Sequence, residues 1–232
     1  QNIYVKFYQA FIEADRWKQY LEGMATTLYV TVIAILIGIV LGVIVASIRT
    51  AHDQQRRKKN IVLGFFNAIC KIYVTVIRGT PMMVQLMILG FVVFKSSRNF
   101  TMVGALGLGL NSGAYVAEII RGGLMSLDRG QSEAGRSLGL GYMDTMRFIV
   151  VPQAFKAVLP ALGNEFIILL KDTSLLTIIG GKELVHAAQG IMNRTWEQMF
   201  PLLGISFLYL VMVLILSWLQ GKLERRLRQS ER

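Results

Sequence analysis

The run MATTLYVTVIAILIGIVLGVIVASI, residues 24–48, contains no charged side chain. As a helix it rises about 37 Å, enough to cross a hydrocarbon core of about 30 Å with some tilt. A backbone inside lipid has no water to bond to, so an isolated apolar run of this length must be helical. Gly38 and Gly42 form a GxxxG pair within it, which allows another helix to approach closely. The sequence therefore predicts an all-α membrane protein.

Further apolar stretches bring the predicted number of transmembrane helices to about five. Residues 61–77 are apolar too, but they carry Lys71 and end at Arg-Gly-Thr-Pro, so we read them as a helix lying at, or entering from, the cytoplasmic face. Residues 1–23 interleave aromatic and charged side chains, which is typical of an interfacial amphipathic helix. A transmembrane domain over residues 24–222 would precede a basic tail, 223–232. The predicted later spans are residues 80–96, 101–124, 148–170 and 199–220.

The net charge of +11 follows the membrane pattern. Five basic residues lie within residues 49–60, and others lie in residues 121–147 and in the tail. Loops rich in Lys and Arg stay in the cytoplasm, so we expect an external amino terminus and a cytoplasmic carboxyl terminus. Because membrane topology accounts for this charge, we expect no nucleic-acid partner.

The sequence offers little for catalysis or cofactor binding. Cys70 is the single cysteine, and His52 and His186 stand apart without metal-ligand spacing. No GxxxxGK[ST] stretch is present, so we expect no phosphate loop and no cofactor in this chain. A membrane enzyme would need a cluster of reactive groups at a membrane face. One function open to such a chain is secondary transport driven by an ion gradient. That class usually shows internal repeats, and no motif here occurs twice.

A polar, glycine-rich segment, EAGRSLGLGYMDTMRFIVVPQA, interrupts the apolar chain between Glu133 and Ala154. Ser132 is predicted to cap a helix that starts at Glu133, and Gly139 and Gly141 are predicted to end it and turn the chain. Small residues beside these glycines would leave a smooth surface. From spacing alone, the segment is either an ordinary connector or a docking site for another protein.

The spacing of Glu133, Ala134, Gly139 and Pro152 resembles the signature loop of permease subunits of ABC importers. Gly135 stands where that family usually has a second alanine. The stretches IRGTPMMVQL, NSGAYVAEIIRGG and ALGNEFIILLKDTSL, with the Glu-Arg-Arg-Leu tail, resemble the branch that imports polar amino acids. The resemblance covers about residues 24 to 228.

This resemblance implies a multi-pass permease in a prokaryotic cell membrane that moves a polar amino acid by alternating access. It implies two cytoplasmic ATPase subunits that bind ATP and Mg, and a second permease that is either a copy of this chain or a relative. It also implies an external amino-acid-binding protein, whether free, lipid-anchored or fused. The signature loop would be a cytoplasmic coupling helix between spans three and four, and its contact residues would be Glu133, Ala134, Gly135, Ser137, Gly139 and Gly141.

Polar residues within the predicted spans are candidates for the substrate path, since ionisable groups in a membrane are costly. Glu165 has no basic residue within one turn, and a carboxylate there suits the ammonium group of an amino acid. Alternatively, Glu165 bonds to a neighbouring helix. Glu118 either lines the path or pairs with Arg121 on its own helix. The remaining candidates, which could instead supply interhelical hydrogen bonds, are Asn164, Asn111, Ser112 and Gln85.

Overall fold

The structure is a computed structural model that describes residues 2–55 and 60–229, and all regular structure in these ranges is helical. Short 3₁₀ segments lie at Glu13–Asp15 and Thr173–Ile179, and π turns lie at Leu89–Val93 and Met146–Val150. The helices are α1 (Ile3–Phe11), α2 (Arg16–Asp53), α3 (Ile61–Gly79), α4 (Met82–Ile88), α5 (Phe100–Met125), α6 (Arg129–Ser137), α7 (Tyr142–Thr145), α8 (Val151–Asp172), α9 (Leu184–Thr195) and α10 (Met199–Gln229).

The predicted all-α membrane fold is confirmed. Within the described ranges, five helical stretches are long and apolar enough to cross a membrane. They are Glu13–Asp53, Ile61–Gly79, Phe100–Met125, Tyr142–Ile179 and Met199–Leu227.

The second of these stretches is the apolar helix that the sequence analysis reads as lying at, or entering from, the cytoplasmic face. Residues 80–96, the expected span, hold only the shorter apolar helix Met82–Val93, and the long apolar helix of this region is α3. Pro81 causes the division, because proline lacks an N–H and disfavours helical backbone in the residue before it. Thr80 accordingly has an extended backbone, with φ −121° and ψ 148°.

The two ends of the chain also differ from the predicted boundaries. Residues 1–23 are not one helix, because Ala14 and Asp15 have positive φ and α2 already begins at Arg16. α1 folds back on the bundle, where Lys6 pairs with Glu197 at 2.9 Å. The expected tail continues α10 as helix to residue 229, while residues 230–232 and the basic residues 56–59 lie outside the described ranges.

The centre of the bundle is a close contact between α2 and α5. α5 is the most enclosed apolar helix, with 67% of its most hydrophobic window buried. Gly38 faces Ser112 on α5, and Gly42 faces Val116. A Cβ atom built on Gly42 would lie 2.5 Å from a Val116 methyl carbon and 3.0 Å from the Ala117 nitrogen. The two backbones therefore approach each other at positions that only glycine fits.

Gly42→Ala tests this contact. We expect it to lower the stability of the folded chain by about 1–3 kcal/mol, because the added methyl group forces the two helix backbones apart. The measurement is the unfolding temperature of the detergent-purified protein. Gly221→Ala on α10 is the matched control: its Cβ atom would meet nothing within 4 Å, and alanine favours a helix by about 1 kcal/mol over glycine. Equal unfolding temperatures for the two variants would contradict the contact.

Glu183 caps α9 while buried at the junction of α9 and α10. Its carboxylate accepts the backbone N–H groups of Val185 at 2.7 Å and His186 at 2.9 Å. It also accepts the hydroxyl of Tyr209 on α10 at 3.1 Å. Burial raises the pKa of Glu183 to about 7, and the hydrogen bonds oppose that rise only in part. The folded chain therefore keeps a proton on this group at pH values where an unfolded chain has lost it.

We predict that stability falls as the pH rises through this window. Since the folded pKa of Glu183 lies above the ordinary 4.5, its protonation favours the folded state fully below pH 4.5, and that contribution is lost as the pH passes about 7. Unfolding temperatures measured across this range should decline for the native protein. Glu183→Gln keeps an acceptor oxygen without the titration, so its decline should be shallower. Parallel curves for the two proteins would contradict this role.

Candidate functional site

The polar segment after α5 forms a helical hairpin made of α6, α7 and the start of α8. α6 begins at Arg129, four residues before the predicted start at Glu133. The cap is Asp128 rather than Ser132: Asp128 has extended backbone, and its carboxylate accepts the N–H of Gly130 at 2.9 Å. An acidic cap at this point leaves Ser132 inside the helix.

Gly139 ends α6 with a positive φ of 83°. The N–H of Leu140 reaches the carbonyl of Gly135 at 3.1 Å, and the N–H of Gly139 reaches that of Arg136 at 2.9 Å. This pair of bonds is the Schellman ending, which favours glycine because its left-handed backbone strains other residues. Gly141 has an ordinary φ of −66°. The sequence analysis expected both glycines to end the helix and turn the chain, but only Gly139 has the left-handed backbone of such an ending.

Gly135 faces the inside of the hairpin. It is buried, and a Cβ atom there would lie 2.9 Å from the Ile149 side chain and 3.1 Å from that of Thr145. The absence of a side chain at Gly135 thus lets α6 pack on the helix that follows. The other residues expected at a partner surface are exposed: Glu133, Ala134, Ser137, Gly139 and Gly141.

The two most exposed large apolar side chains of the described hairpin were missed by the sequence reasoning. Leu138 is 81% exposed and Met143 is 74% exposed. Both lie beside the turn at Gly139 and outside the long apolar runs. A large apolar residue within a polar segment was the sequence signal that could have identified them. Large apolar side chains on a polar hairpin are typical of a surface that another protein covers.

The hairpin is tied to the membrane bundle at one further point. The hydroxyl of Tyr142 donates to the side-chain oxygen of Gln54, which lies just past the end of α2. Within the hairpin, the amide of Gln153 donates to Gln131 at 3.3 Å. A displacement of the hairpin would therefore also displace the start of α8 and the end of α2.

Most of the predicted path residues meet inside the bundle as two hydrogen-bonded pairs. Ser112 on α5 donates to the carboxylate of Glu165 on α8 at 2.8 Å, and both residues are buried. Asn111 donates to the side-chain oxygen of Gln85 on α4 at 3.1 Å. Because Asn111 and Ser112 are adjacent, the two pairs connect α4, α5 and α8. Asn164 is exposed beside Glu165.

Glu118 does not join these pairs but lies in a cluster of charges between α2, α3 and α5. Its carboxylate pairs with Arg49, with Arg78 at 3.7 Å and with Arg121 at 3.6 Å. Arg121 also pairs with Asp53 at 2.8 Å. The predicted pair with Arg121 is thus present, while the contributions of Arg49 and Arg78 were missed because these residues lie on other helices. No group of residues able to hold a metal ion occurs in the ranges that the structure describes.

Comparison with known proteins agrees with this geometry. Residues 61–229 match the family model described as "Binding-protein-dependent transport system inner membrane component". The chain is 35% identical over 216 residues to the arginine transport system permease protein ArtQ of Bacillus subtilis, a match that covers 91% of this chain and 93% of ArtQ. It is 34% identical over 212 residues to the glutamine transport system permease protein GlnP of Escherichia coli K12, covering 90% and 92%.

A solved structure gives the same result. The crystal structure of an amino acid ABC transporter with histidines contains a chain that superposes with a TM-score of 0.81 at 36% identity. The superposition covers 90% of this chain and 94% of that one. The resemblance to ABC importer permeases is therefore confirmed, and the chain belongs to the family of binding-protein-dependent transport system inner membrane components, as a multi-pass transport permease subunit and not an enzyme.

Proposed function

We propose that this permease imports a polar amino acid by alternating access, driven by ATP hydrolysis in separate subunits. The observation that carries the proposal is the α6 hairpin: α6 packs through Gly135 on Thr145 and Ile149 of the same hairpin, and its other face exposes Ala134 and Leu138. The relatives support the substrate class, since they are named for arginine and glutamine transport, and the similar structure for an amino acid transporter with histidines.

The proposed orientation places the amino terminus outside the cell and the carboxyl terminus in the cytoplasm. It rests on the basic residues after α2, in the hairpin region and at the end of α10. The hairpin then faces the cytoplasm, where an ATPase subunit can reach it. Family membership implies ATPase subunits and a binding protein. The finer assembly that we propose has two ATPases carrying ATP and Mg, a second permease that is a copy or a relative, and an external amino-acid-binding protein.

Coupling would work through the contacts that hold the hairpin. Closure of the ATPase pair moves α6, and the close packing of Gly135 on Ile149 carries that movement into α8. The Tyr142 bond to Gln54 carries it to α2. Because these contacts are short and buried or hydrogen-bonded, the hairpin and the helices move as one rigid body.

The proposed substrate path follows the two polar pairs. A carboxylate buried among apolar helices is costly unless it has a partner or a task. Among the residues that the structure describes, Ser112 is the one side-chain donor to Glu165. Its remaining acceptor capacity suits the ammonium group of an amino acid. Asn164 would line the path beside it, and Asn111 with Gln85 would continue the path across α5. Glu118 stands outside this group, because its charge is already matched by arginines.

Glu165→Gln tests the path. We expect at least about a tenfold loss of ATP-driven uptake, since a charge-assisted hydrogen bond to the substrate is worth about 1.5–3 kcal/mol. The measurement is uptake of arginine, glutamine and histidine into proteoliposomes that contain the assembled complex. Glu224→Gln makes the same chemical change near the end of α10 and should transport normally. Native uptake by the Glu165 variant would remove this residue from the path.

Gly139→Ala tests coupling. Alanine in the left-handed conformation costs about 1–2 kcal/mol, so the end of α6 should distort although its Cβ atom meets nothing within 4 Å. We expect uptake to fall while basal ATP hydrolysis by the assembled complex persists. Both rates are measured on the same proteoliposomes.

Gly141→Ala is the matched control for that experiment, since Gly141 has an ordinary backbone conformation and room for a methyl group. It should transport like the native chain. Normal uptake by the Gly139 variant would argue against coupling through the hairpin. ATP-independent uptake by this chain alone would instead favour a secondary transporter.

A further inference from the structure

Both ends of α3 lie near the same end of the bundle. At its start, the N–H of Asn60 donates to the side chain of Gln55, just past the end of α2, at 3.0 Å. At its finish, Arg78 pairs with Glu118, whose carboxylate also binds Arg49 in the last turns of α2. A helix of this length rises about 28 Å, so it cannot run from one membrane face to the other and keep both contacts. α3 therefore lies across this end of the bundle.

α3 is also the least enclosed of the long apolar helices. Only 11% of its most hydrophobic window is buried. One side of the helix contacts the core through the buried Cys70 and Val74 and the partly buried Tyr73 and Ile77, and Tyr73 donates to the carbonyl of Leu110 on α5 at 2.5 Å. A broad apolar face is exposed, formed by Val62, Phe65, Ile69, Ile72 and Val76. At 100° per residue these positions share one side of the helix.

A polar stripe occupies another side of the same helix. Asn67, Lys71, Thr75 and Arg78 follow the spacing of four, four and three residues, which aligns them along α3. Lys71 and Thr75 are exposed, and the Arg78 side chain is 43% exposed. Basic residues on one face and aromatic and aliphatic residues on another are the features of a helix that lies in a membrane interface.

The charge cluster leaves Arg78 incompletely neutralised. Three guanidinium groups, those of Arg49, Arg78 and Arg121, share the carboxylates of Glu118 and Asp53. Of the three, Arg78 makes the longest contact, 3.7 Å. A positive charge thus remains at the end of α3 for an anionic group.

We propose that α3 lies in the inner membrane interface, with its apolar face among the acyl chains and with Lys71 and Arg78 bound to anionic phospholipid headgroups. Met82–Val93 then leads from this interface into the bilayer, and its rise of about 18 Å carries the chain part of the way across a hydrocarbon core of about 30 Å. The assignment to the inner leaflet rests on the orientation given under the proposed function.

Membrane depth along α3 tests the proposal. In the assembled complex with Cys70→Ser, single cysteines replace Phe65, Ile69, Ile72 and Val76 and carry spin labels, and their depth in vesicles is measured with lipid-soluble and water-soluble relaxants. We expect all four labels at one shallow depth. Labels on Phe207, Leu210 and Leu214 of α10 serve as the control, and their depth should change by about 1.5 Å per residue.

Two outcomes of this measurement would overturn the proposal. A steady change of depth along α3 would make it a spanning helix. Labels screened from the lipid-soluble relaxant would show that a protein, such as the second permease, covers this face in place of lipid.

Lipid preference tests the headgroup. The complex is extracted from vesicles that contain equal amounts of phosphatidylcholine and phosphatidylglycerol, and the retained lipids are measured. Lys71→Gln should weaken the preference for phosphatidylglycerol about fivefold, the factor for about 1 kcal/mol per basic residue near an anionic surface. Lys182→Gln removes the same charge between α8 and α9 and should leave the preference unchanged. Equal retention by the Lys71 variant and the native complex would overturn the headgroup assignment.

Failure of the orientation can be told apart from failure of the proposal. A cysteine at Leu138, in the same Cys70→Ser background, is labelled with an impermeant reagent from each side of the membrane. Labelling from the cytoplasmic side, with constant depth along α3, supports both inferences. Labelling from outside would refute the orientation and with it the inner leaflet, whereas the depth series alone decides whether α3 is interfacial.

Discussion

The close approach of α2 and α5 is the constraint on which the other arrangements depend. Gly38 and Gly42 let the α2 backbone lie against Ser112 and Val116, so that two long apolar helices form one narrow pair. Lipid tails are as apolar as leucine, and helices in a membrane therefore gain little from burying apolar surface against each other. They gain from dense packing and interhelical hydrogen bonds. α3, α8 and α9 each pack against this pair.

Polar groups within the bundle then fall into two classes with separate places. Ser112 with Glu165 lies deep between α5 and α8, where one carboxylate has one donor. Glu118 lies toward the end of α2, where several arginines share it. The first group is short of partners and suits a passing ligand, whereas the second is crowded with them and suits a joint between helices. The number of partners therefore distinguishes the proposed substrate path from the structural cluster better than depth in the membrane does.

Sequence reasoning recovered those features that depend on local composition. Residues 24–48 and 101–124 fall within α2 and α5, because a long apolar run in lipid must be helical. It failed at the start of α6, where Asp128 rather than Ser132 is the helix cap. Contacts between distant residues, such as Ser112 with Glu165, need the fold itself, because no local pattern records which helices become neighbours.

Gly135 faces the inside of the hairpin, so packing within the hairpin and contact with a partner involve different sides of α6. Residues that hold the two arms of the hairpin together, Thr145 and Ile149, contact Gly135 on one side of α6, while Glu133, Ala134 and Ser137 lie on the other. The outward set can vary with whatever surface it meets, without disturbing the inward set. A permease built in this way can adapt to a different ATPase subunit through a few substitutions on the outward side of α6. Its transmembrane architecture and its substrate need not change.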